Sequence, residues 1–329
     1  MIGKNVSVTS PEDIEAAAAR IEPHVFRTPL FRSDPLSERH GVEMLIKSEH
    51  LQRTGSFKVR GSANFVHSLT DAQAKNGVVT ASSGNHGIGV ATAAASRGVT
   101  SKIFLPSNAS RSKLDQIRRL GGEIVLVKGT DSSMAEAAAR AHTAETGLAY
   151  VSPYNDAIVI AGQGTTGKEV LEDADGPIDA IVVSVGGGGL ISGIATWVKA
   201  NSPSTRIVGA SALNDRAMAA SIEAGAISAP DYAPTFSDGT AGGLEDDTIT
   251  FGLCQNLVDD WVDITERDIA VAVANMVDDH HQLVEGAAGV AIAGATALAI
   301  KMPGARIVAV SCGANVSSVT LSQILTAAS

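Results

Sequence analysis

Ala180-Ile181-Val182-Val183-Ser184-Val185-Gly186-Gly187-Gly188-Gly189-Leu190-Ile191-Ser192-Gly193 decides the fold. The β-prone run Ala180–Val185 enters four glycines and then a helical pattern, which reads as strand, turn and helix. Without Cβ atoms, such a turn lets backbone N–H groups close around a ligand, and the following helix N-terminus adds partial positive charge. A single phosphate suits it. The dinucleotide fingerprint G-x-G-x-x-G does not fit, because counting from Gly186 its sixth position is Ile191.

Outward from this unit the same alternation recurs. Glu43–Lys47, Gly77–Ala81, Ser101–Leu105, Glu123–Val127, Arg206–Ala210 and Arg306–Ser311 read as strands. Ser10-Pro11-Glu12-Asp13 is a helix start, with Ser10 as cap and Asp13 completing a capping box. Ile14, Ala17, Ala18 and Ile21 follow at helical spacing. An Ala-rich helix ends near Gly98, and the helix Ser110–Leu120 stops at Gly121-Gly122. The pattern predicts an α/β protein of mostly parallel, twisted sheets flanked by helices. With no repeat and no Pro/Ser-rich linker, a second domain must be woven into the first rather than strung after it.

The length of 329 residues suits two domains or one large one. Aromatic residues are 4%, so the core must be aliphatic. Net charge is −10, from 25 Lys and Arg against 35 Asp and Glu, which argues against a nucleic-acid or anionic membrane surface. Cys254 and Cys312 cannot form a disulfide scaffold or a four-ligand zinc site, so a reducing, cytoplasmic setting is expected. Met1–Asp13 has no apolar segment of the secretory type, and the small-apolar run Ala287–Ile300 is too short to span a bilayer.

Three further segments carry chemistry. Gly162-Gln163-Gly164-Thr165-Thr166-Gly167-Lys168-Glu169 nearly matches a P-loop, but Glu169 replaces the hydroxyl that ligates magnesium and would repel a triphosphate. Ser82-Ser83-Gly84-Asn85-His86-Gly87, between a strand and a helix, offers hydroxyls, an amide and backbone donors suited to a carboxylate; its plainer reading is a helix cap. In Ser56-Phe57-Lys58-Val59-Arg60-Gly61 a lysine follows an aromatic residue and is flanked by apolar ones. An apolar pocket lowers an amine pKa and makes it both a carbonyl-condensing nucleophile and a base.

Taken together, these segments resemble the pyridoxal 5′-phosphate enzymes of fold type II (tryptophan synthase β-like), within the serine/threonine dehydratase group. The likeness runs from Arg27-Thr28-Pro29-Leu30 to Cys312-Gly313-Ala314-Asn315. It rests on TGSFKVRG, ASSGNHGIGVA, SPYND with VIAGQGT, VGGGGLISG, SDG, VEGAAG and CGAN, in the family's order. The resemblance implies that Lys58 carries the cofactor as a Schiff base, with Phe57 packed near its ring and Asn85 bonded to the ring's 3′-oxygen. Gly186, Gly187, Gly188 and Gly189 would hold the 5′-phosphate, and Gly239 would line the cofactor edge. Ser82, Ser83 and His86 would form the loop that holds the substrate carboxylate. Cys312 would face the ring nitrogen; a neutral partner there favours loss of a β leaving group over transamination. Glu285 would stand near the cofactor edge.

The implied reaction is elimination of water from a β-hydroxy amino acid such as threonine or serine, with Lys58 as base at Cα, ending in a keto acid and ammonia. Ser83 lies where related racemases place a base on the opposite face. The competing readings are a 3-hydroxyaspartate dehydratase, a serine racemase, a β-replacement synthase and, outside enzymes, an anion- or nucleotide-binding module. A distal substrate carboxylate would need an added donor, for which Arg53 and His281 are candidates, and Gly242 replaces a racemase serine. Where relatives bind a divalent cation, this chain has Ser211 and Ala217, with Asp215 offset, so no metal site is expected. Adjacent His280 and His281 point about 100° apart on a helix and read as a solvated or hydrogen-bonded pair at its end. The expected architecture is a large cofactor-binding domain, 1–75 plus 157–329, and a small mobile domain, 76–156, closing over substrate. No regulatory domain is expected, and a homodimer or higher homo-oligomer is.

Overall fold

Strand–turn–helix alternation generates two sheets in the computed structural model, which describes residues 9–82, 84–107, 111–129, 132–229 and 231–329. The strands are β1 (Leu30–Arg32), β2 (Glu43–Lys47), β3 (Val78–Ala81), β4 (Ser101–Pro106), β5 (Glu123–Val127), β6 (Ala149–Tyr150), β7 (Ala180–Ser184), β8 (Arg206–Ala212), β9 (Asp260–Ile264) and β10 (Arg306–Val310). The helices of the first half are α1 (Pro11–Ile21), α2 (Asp34–His40), α3 (Lys58–Ser68), α4 (Asp71–Asn76), α5 (Asn85–Arg97), α6 (Arg111–Arg119) and α7 (Ser132–Thr146). Those of the second half are α8 (Ala157–Asp173), α9 (Gly189–Asn201), α10 (Ala217–Ala224), α11 (Ile249–Leu257), α12 (Glu266–His280), α13 (Gly286–Lys301) and α14 (Ser318–Ala328).

One sheet has the order β1-β2-β10-β7-β8-β9, the other β5-β4-β3-β6. All ladders are parallel except β1 with β2. The four-stranded sheet uses only residues between Val78 and Tyr150, and the six-stranded sheet takes the chain on both sides of it. Strand order reverses at two places: β7 has β8 on one side and β10 on the other, while β3 has β4 and β6. In open α/β sheets, ligands bind beyond the strand C-termini at such switch points. Here the two switch points face each other across one cleft.

Local sequence accounts for the element ends. Ser10 Oγ accepts from Asp13 N and Asp13 accepts from Ser10 N, the reciprocal cap its sequence predicts. Helix α5 ends at Gly98 in the left-handed region, φ 69°. The larger core packs the β7, β8 and β10 faces against α13, whose run of Ala, Val, Ile and Gly is buried on nearly every side. Among the described residues, no helix is long and apolar enough to cross a membrane.

The segment resembling a P-loop is not a loop. Gly162, Gly164 and Gly167 lie inside α8, where each admits a neighbouring backbone; a Cβ on Gly162 would fall 2.7 Å from the Arg60 carbonyl oxygen. Glu169 turns to the core instead, pairing with Lys47 at 2.6 Å and Arg60 at 2.7 Å. Arg60 also pairs with Glu49 at 2.7 Å, both fully buried. This cluster lies beneath the first turn of α3 and anchors the helix that Lys58 opens.

Candidate active site

Lys58 begins α3, at the end of a loop bonded to the C-terminal end of β10: Phe57 N donates to the Cys312 carbonyl at 3.1 Å, and Ser56 bridges Gly313. Its Nζ crosses the cleft to the Pro153 carbonyl, 2.8 Å away, in the segment that follows β6. The lysine therefore reaches from one switch point to the other. The Phe57 ring centroid lies 5.2 Å from Nζ. Burial lowers the Lys58 pKa to about 8, although the Glu285 carboxylate pulls it up. A substantial share of this amine is neutral near physiological pH.

The glycine turn lies beyond β7 and opens α9. Gly188 has φ +82° and admits no side chain without strain. A Cβ at Gly186 would meet the Thr240 carbonyl oxygen at 2.5 Å, and one at Gly187 would meet the Tyr154 ring at 2.4 Å. The N–H groups of Gly186, Gly187 and Gly188 make no hydrogen bond among the described residues. A cradle of free donors at a helix N-terminus fits a phosphate.

Asn85, the first residue of α5, donates Nδ2 to both Glu285 oxygens at 2.8 and 3.1 Å and accepts from Asn315 Nδ2 at 2.6 Å. Glu285 is buried and also accepts from Asn315 N at 3.1 Å. Gly239 faces it, since a Cβ there would lie 3.3 Å from its Oε1. Cys312 is buried, with its Sγ 3.5 Å from Ser184 Oγ, and burial raises the thiol pKa far enough to keep it neutral.

The remaining predicted residues divide. Ser82 Oγ accepts from Gly84 N at 3.2 Å within the turn. Ser83 lies outside the described residues. His86 turns inward, its Nε2 2.9 Å from the Val151 carbonyl, and burial lowers its pKa to about 3, so the ring is neutral. Arg53 lines a cavity of about 420 Å³ together with Thr54, Arg119 and Asn315. His281 is exposed at the end of α12, with φ 55°, and His280 bonds Ser33 Oγ at 2.9 Å. Asp215 accepts from Gly242 N at 2.9 Å, and Arg216 pairs with Glu223 and Asp263. No group of three His, Cys, Asp or Glu side chains among the described residues is arranged to hold a metal ion.

A family model described as pyridoxal-phosphate dependent enzyme matches residues 21–313. The chain belongs to this family. A structure of maize serine racemase superposes with a TM-score of 0.90 at 34% identity, covering 97% of each chain. The L-threonine ammonia-lyase of Thermotoga maritima is 38% identical over 305 residues, 93% of this chain and 75% of that one. A beta-hydroxyaspartate dehydratase of Paracoccus denitrificans is 41% identical over 262 residues, 80% of this chain and 82% of that one. This protein is a pyridoxal-phosphate dependent enzyme of fold type II, an α/β architecture of mostly parallel sheets.

Two residues of the cleft escaped the sequence reading: Pro153 and Tyr154 stand between the lysine and the glycine turn. Glu285, expected near the cofactor edge, accepts from Asn85 Nδ2 through both carboxylate oxygens. SPYND and VEGAAG were visible as motifs, but their partners lie far away in the chain.

Proposed function

We propose that this enzyme eliminates water from a small β-hydroxy amino acid, with serine and threonine as substrates, to give a keto acid and ammonia. The observation that carries the reading is Lys58 Nζ, an amine with a pKa of about 8 held across the cleft between two strand-order switch points. When bound, the cofactor supplies an electron sink for the pair left at Cα.

The residues that would hold the cofactor are Lys58, through its Nζ, and Gly186 to Gly189, through their N–H groups. Phe57, Asn85 and Gly239 would flank it. Cys312 would present an uncharged thiol to the ring nitrogen, which disfavours a long-lived carbanion and favours departure of the β-substituent. The start of α5 and the loop before it, Ser82, Ser83 and His86, would orient the substrate carboxylate; the inward-turned His86 offers backbone there and no cation. Lys58 Nζ, whose lowered pKa of about 8 makes the neutral form available, would accept the Cα proton. The hydroxyl would leave with a proton as water, and hydrolysis of the resulting enamine would release ammonia. On this reading 76–156 forms a small domain that closes on the substrate and excludes water. Its support is that one sheet lies wholly inside that span. Two free, buried cysteines suit a reducing compartment, and we place the enzyme in the cytoplasm.

The relative named beta-hydroxyaspartate dehydratase supports a second reading, a substrate with a distal carboxylate. Incubation with serine, threonine and each diastereomer of 3-hydroxyaspartate, with keto acid and ammonia as readouts, separates the two. Turnover of serine or threonine supports the first, turnover of hydroxyaspartate alone the second, and no product from any of them contradicts both.

A further inference from the structure

The segment 237–248 leads from Ser237-Asp238-Gly239 to α11 and is pinned along its length. Asp215 accepts from Gly242 N, the Tyr154 hydroxyl from Glu245 N and Asn155 Oδ1 from Ile249 N, each at 2.9 Å. Glu245 is the node. Its Oε2 accepts from Asn155 Nδ2 and pairs with Arg140 Nη2, both at 2.7 Å. Its Oε1 is buried with no hydrogen-bond partner among the described residues.

These two contacts lie on different parts of the molecule. Arg140 stands on α7, which packs on β3 and β4 of the four-stranded sheet. Its guanidinium also pairs with Glu136 at 3.1 Å and lies 4.5 Å from the Tyr150 ring centroid, so the four-stranded unit fixes its direction. Asn155 and Tyr154 belong to the crossing from β6 to α8. The Tyr154 ring rests on Gly187, and the adjacent Pro153 carbonyl accepts from Lys58 Nζ. A single carboxylate thus connects the four-stranded unit, the crossing beside Lys58 and the segment lying on the glycine turn.

We propose that Glu245 is a positioning residue of this active site: through Arg140 it holds the four-stranded unit against the cleft, and through Asn155 and its own N–H to Tyr154 it keeps the Tyr154 ring seated on the glycine turn. The proposal rests on the reading that this turn seats the cofactor phosphate. The two arms differ in strength. Arg140 is 44% exposed, and a pair with one solvated partner contributes little. Glu245 is 16% exposed, so its bond to Asn155 is charge-assisted and poorly hydrated.

The test compares the wild-type holoenzyme with R140A, E245Q, E245A, R140E and the swap R140E/E245R. It measures the dissociation constant for pyridoxal phosphate by dialysis, KM and kcat for serine or threonine, and the melting temperature as a check on folding. R140A should raise KM about 2–5-fold and leave cofactor retention and kcat unchanged. E245Q keeps an acceptor for Asn155 and should behave like R140A. E245A should raise KM and also weaken cofactor retention about tenfold, as expected for loss of a charge-assisted hydrogen bond. The swap should bring KM back from the R140E value while cofactor retention stays weak, because the guanidinium that E245R introduces cannot accept from Asn155. A folded E245A that matches the wild type in KM and retention overturns the proposal. If E245A does not fold, a swap that leaves KM at the R140E value overturns it. Wild-type protein that holds cofactor but turns over no hydroxy amino acid contradicts the proposed function, and the retention measurements still decide the role of Glu245.

Discussion

Asn85 and Glu285, 200 positions apart in the chain, meet through two hydrogen bonds: Nδ2 donates to Oε1 at 2.8 Å and to Oε2 at 3.1 Å. The contact joins the first residue of α5, at the tip of the four-stranded sheet, to the residue that precedes α13 on the six-stranded one. It also places a buried carboxylate where it acts on the Lys58 amine.

A pH signature follows. Burial lowers the Lys58 pKa to about 8, with the Glu285 carboxylate opposing it. Only the neutral amine attacks an aldehyde, so the rate at which cofactor-free protein takes up pyridoxal phosphate should rise with pH through a midpoint near 8. Glu285→Gln removes a nearby negative charge that favours the ammonium form, so its midpoint should move to lower pH. Stopped-flow absorbance across roughly pH 6–10 measures both; an unmoved or raised midpoint in the variant contradicts this electrostatic account.

The glycine turn gives a steric prediction. Gly187→Ala would put a Cβ 2.4 Å from the Tyr154 ring, and aromatic ring atoms cannot interpenetrate a methyl group. The turn or the ring must shift. Cofactor retention should fall at least about tenfold, a loss of roughly 1.4 kcal/mol. Equilibrium dialysis of Gly187→Ala against the wild type tests this, and unchanged retention shows that the turn accommodates the added methyl group.

Breaking the charged cluster under α3 should be strongly destabilising. Arg60 and Glu49 are fully buried and bonded at 2.7 Å. Arg60→Met leaves Glu49 and Glu169 without their main partner, which should cost about 3–5 kcal/mol. Burial raises the Glu169 pKa, but Arg60 and Lys47 outweigh it and hold it below its ordinary 4.5. Its share of stability is therefore present above pH 4.5 and lost as pH falls through the lower folded-state value. Urea unfolding at about pH 7 and about pH 3.5 should show a smaller pH difference for Glu169→Gln than for the wild type; equal differences would place the acid-sensitive interactions elsewhere.

How much of this was legible in the sequence depends on how far apart the interacting residues lie. The turn after β7 and the cap on α1 could be read directly, because Gly186–Gly189 and Ser10–Asp13 each encode local backbone geometry. Lys58 stood out through its motif. Glu169 could be refused as a P-loop residue on charge grounds, but its pairing with Arg60, 109 positions away, had no local signal. The same holds for Tyr154 over Gly187, for Arg140 with Glu245 and for Glu285 with Asn85. In each, the two partners lie far apart in the chain and meet only through the tertiary fold. The short β1 and β6 and the antiparallel pairing of β1 also went unread, since two or three residues carry no usable periodicity.

The central claim is that Lys58 Nζ is the point of attachment for the cofactor. Its most direct test is to incubate the protein with pyridoxal phosphate, reduce with borohydride, digest and locate the pyridoxyl group by peptide mass mapping, with Lys58→Ala treated alongside. The account predicts one stoichiometric label, on the peptide carrying Lys58, and none on Lys58→Ala. A stoichiometric label on another lysine, or an unlabelled wild-type protein, would contradict it.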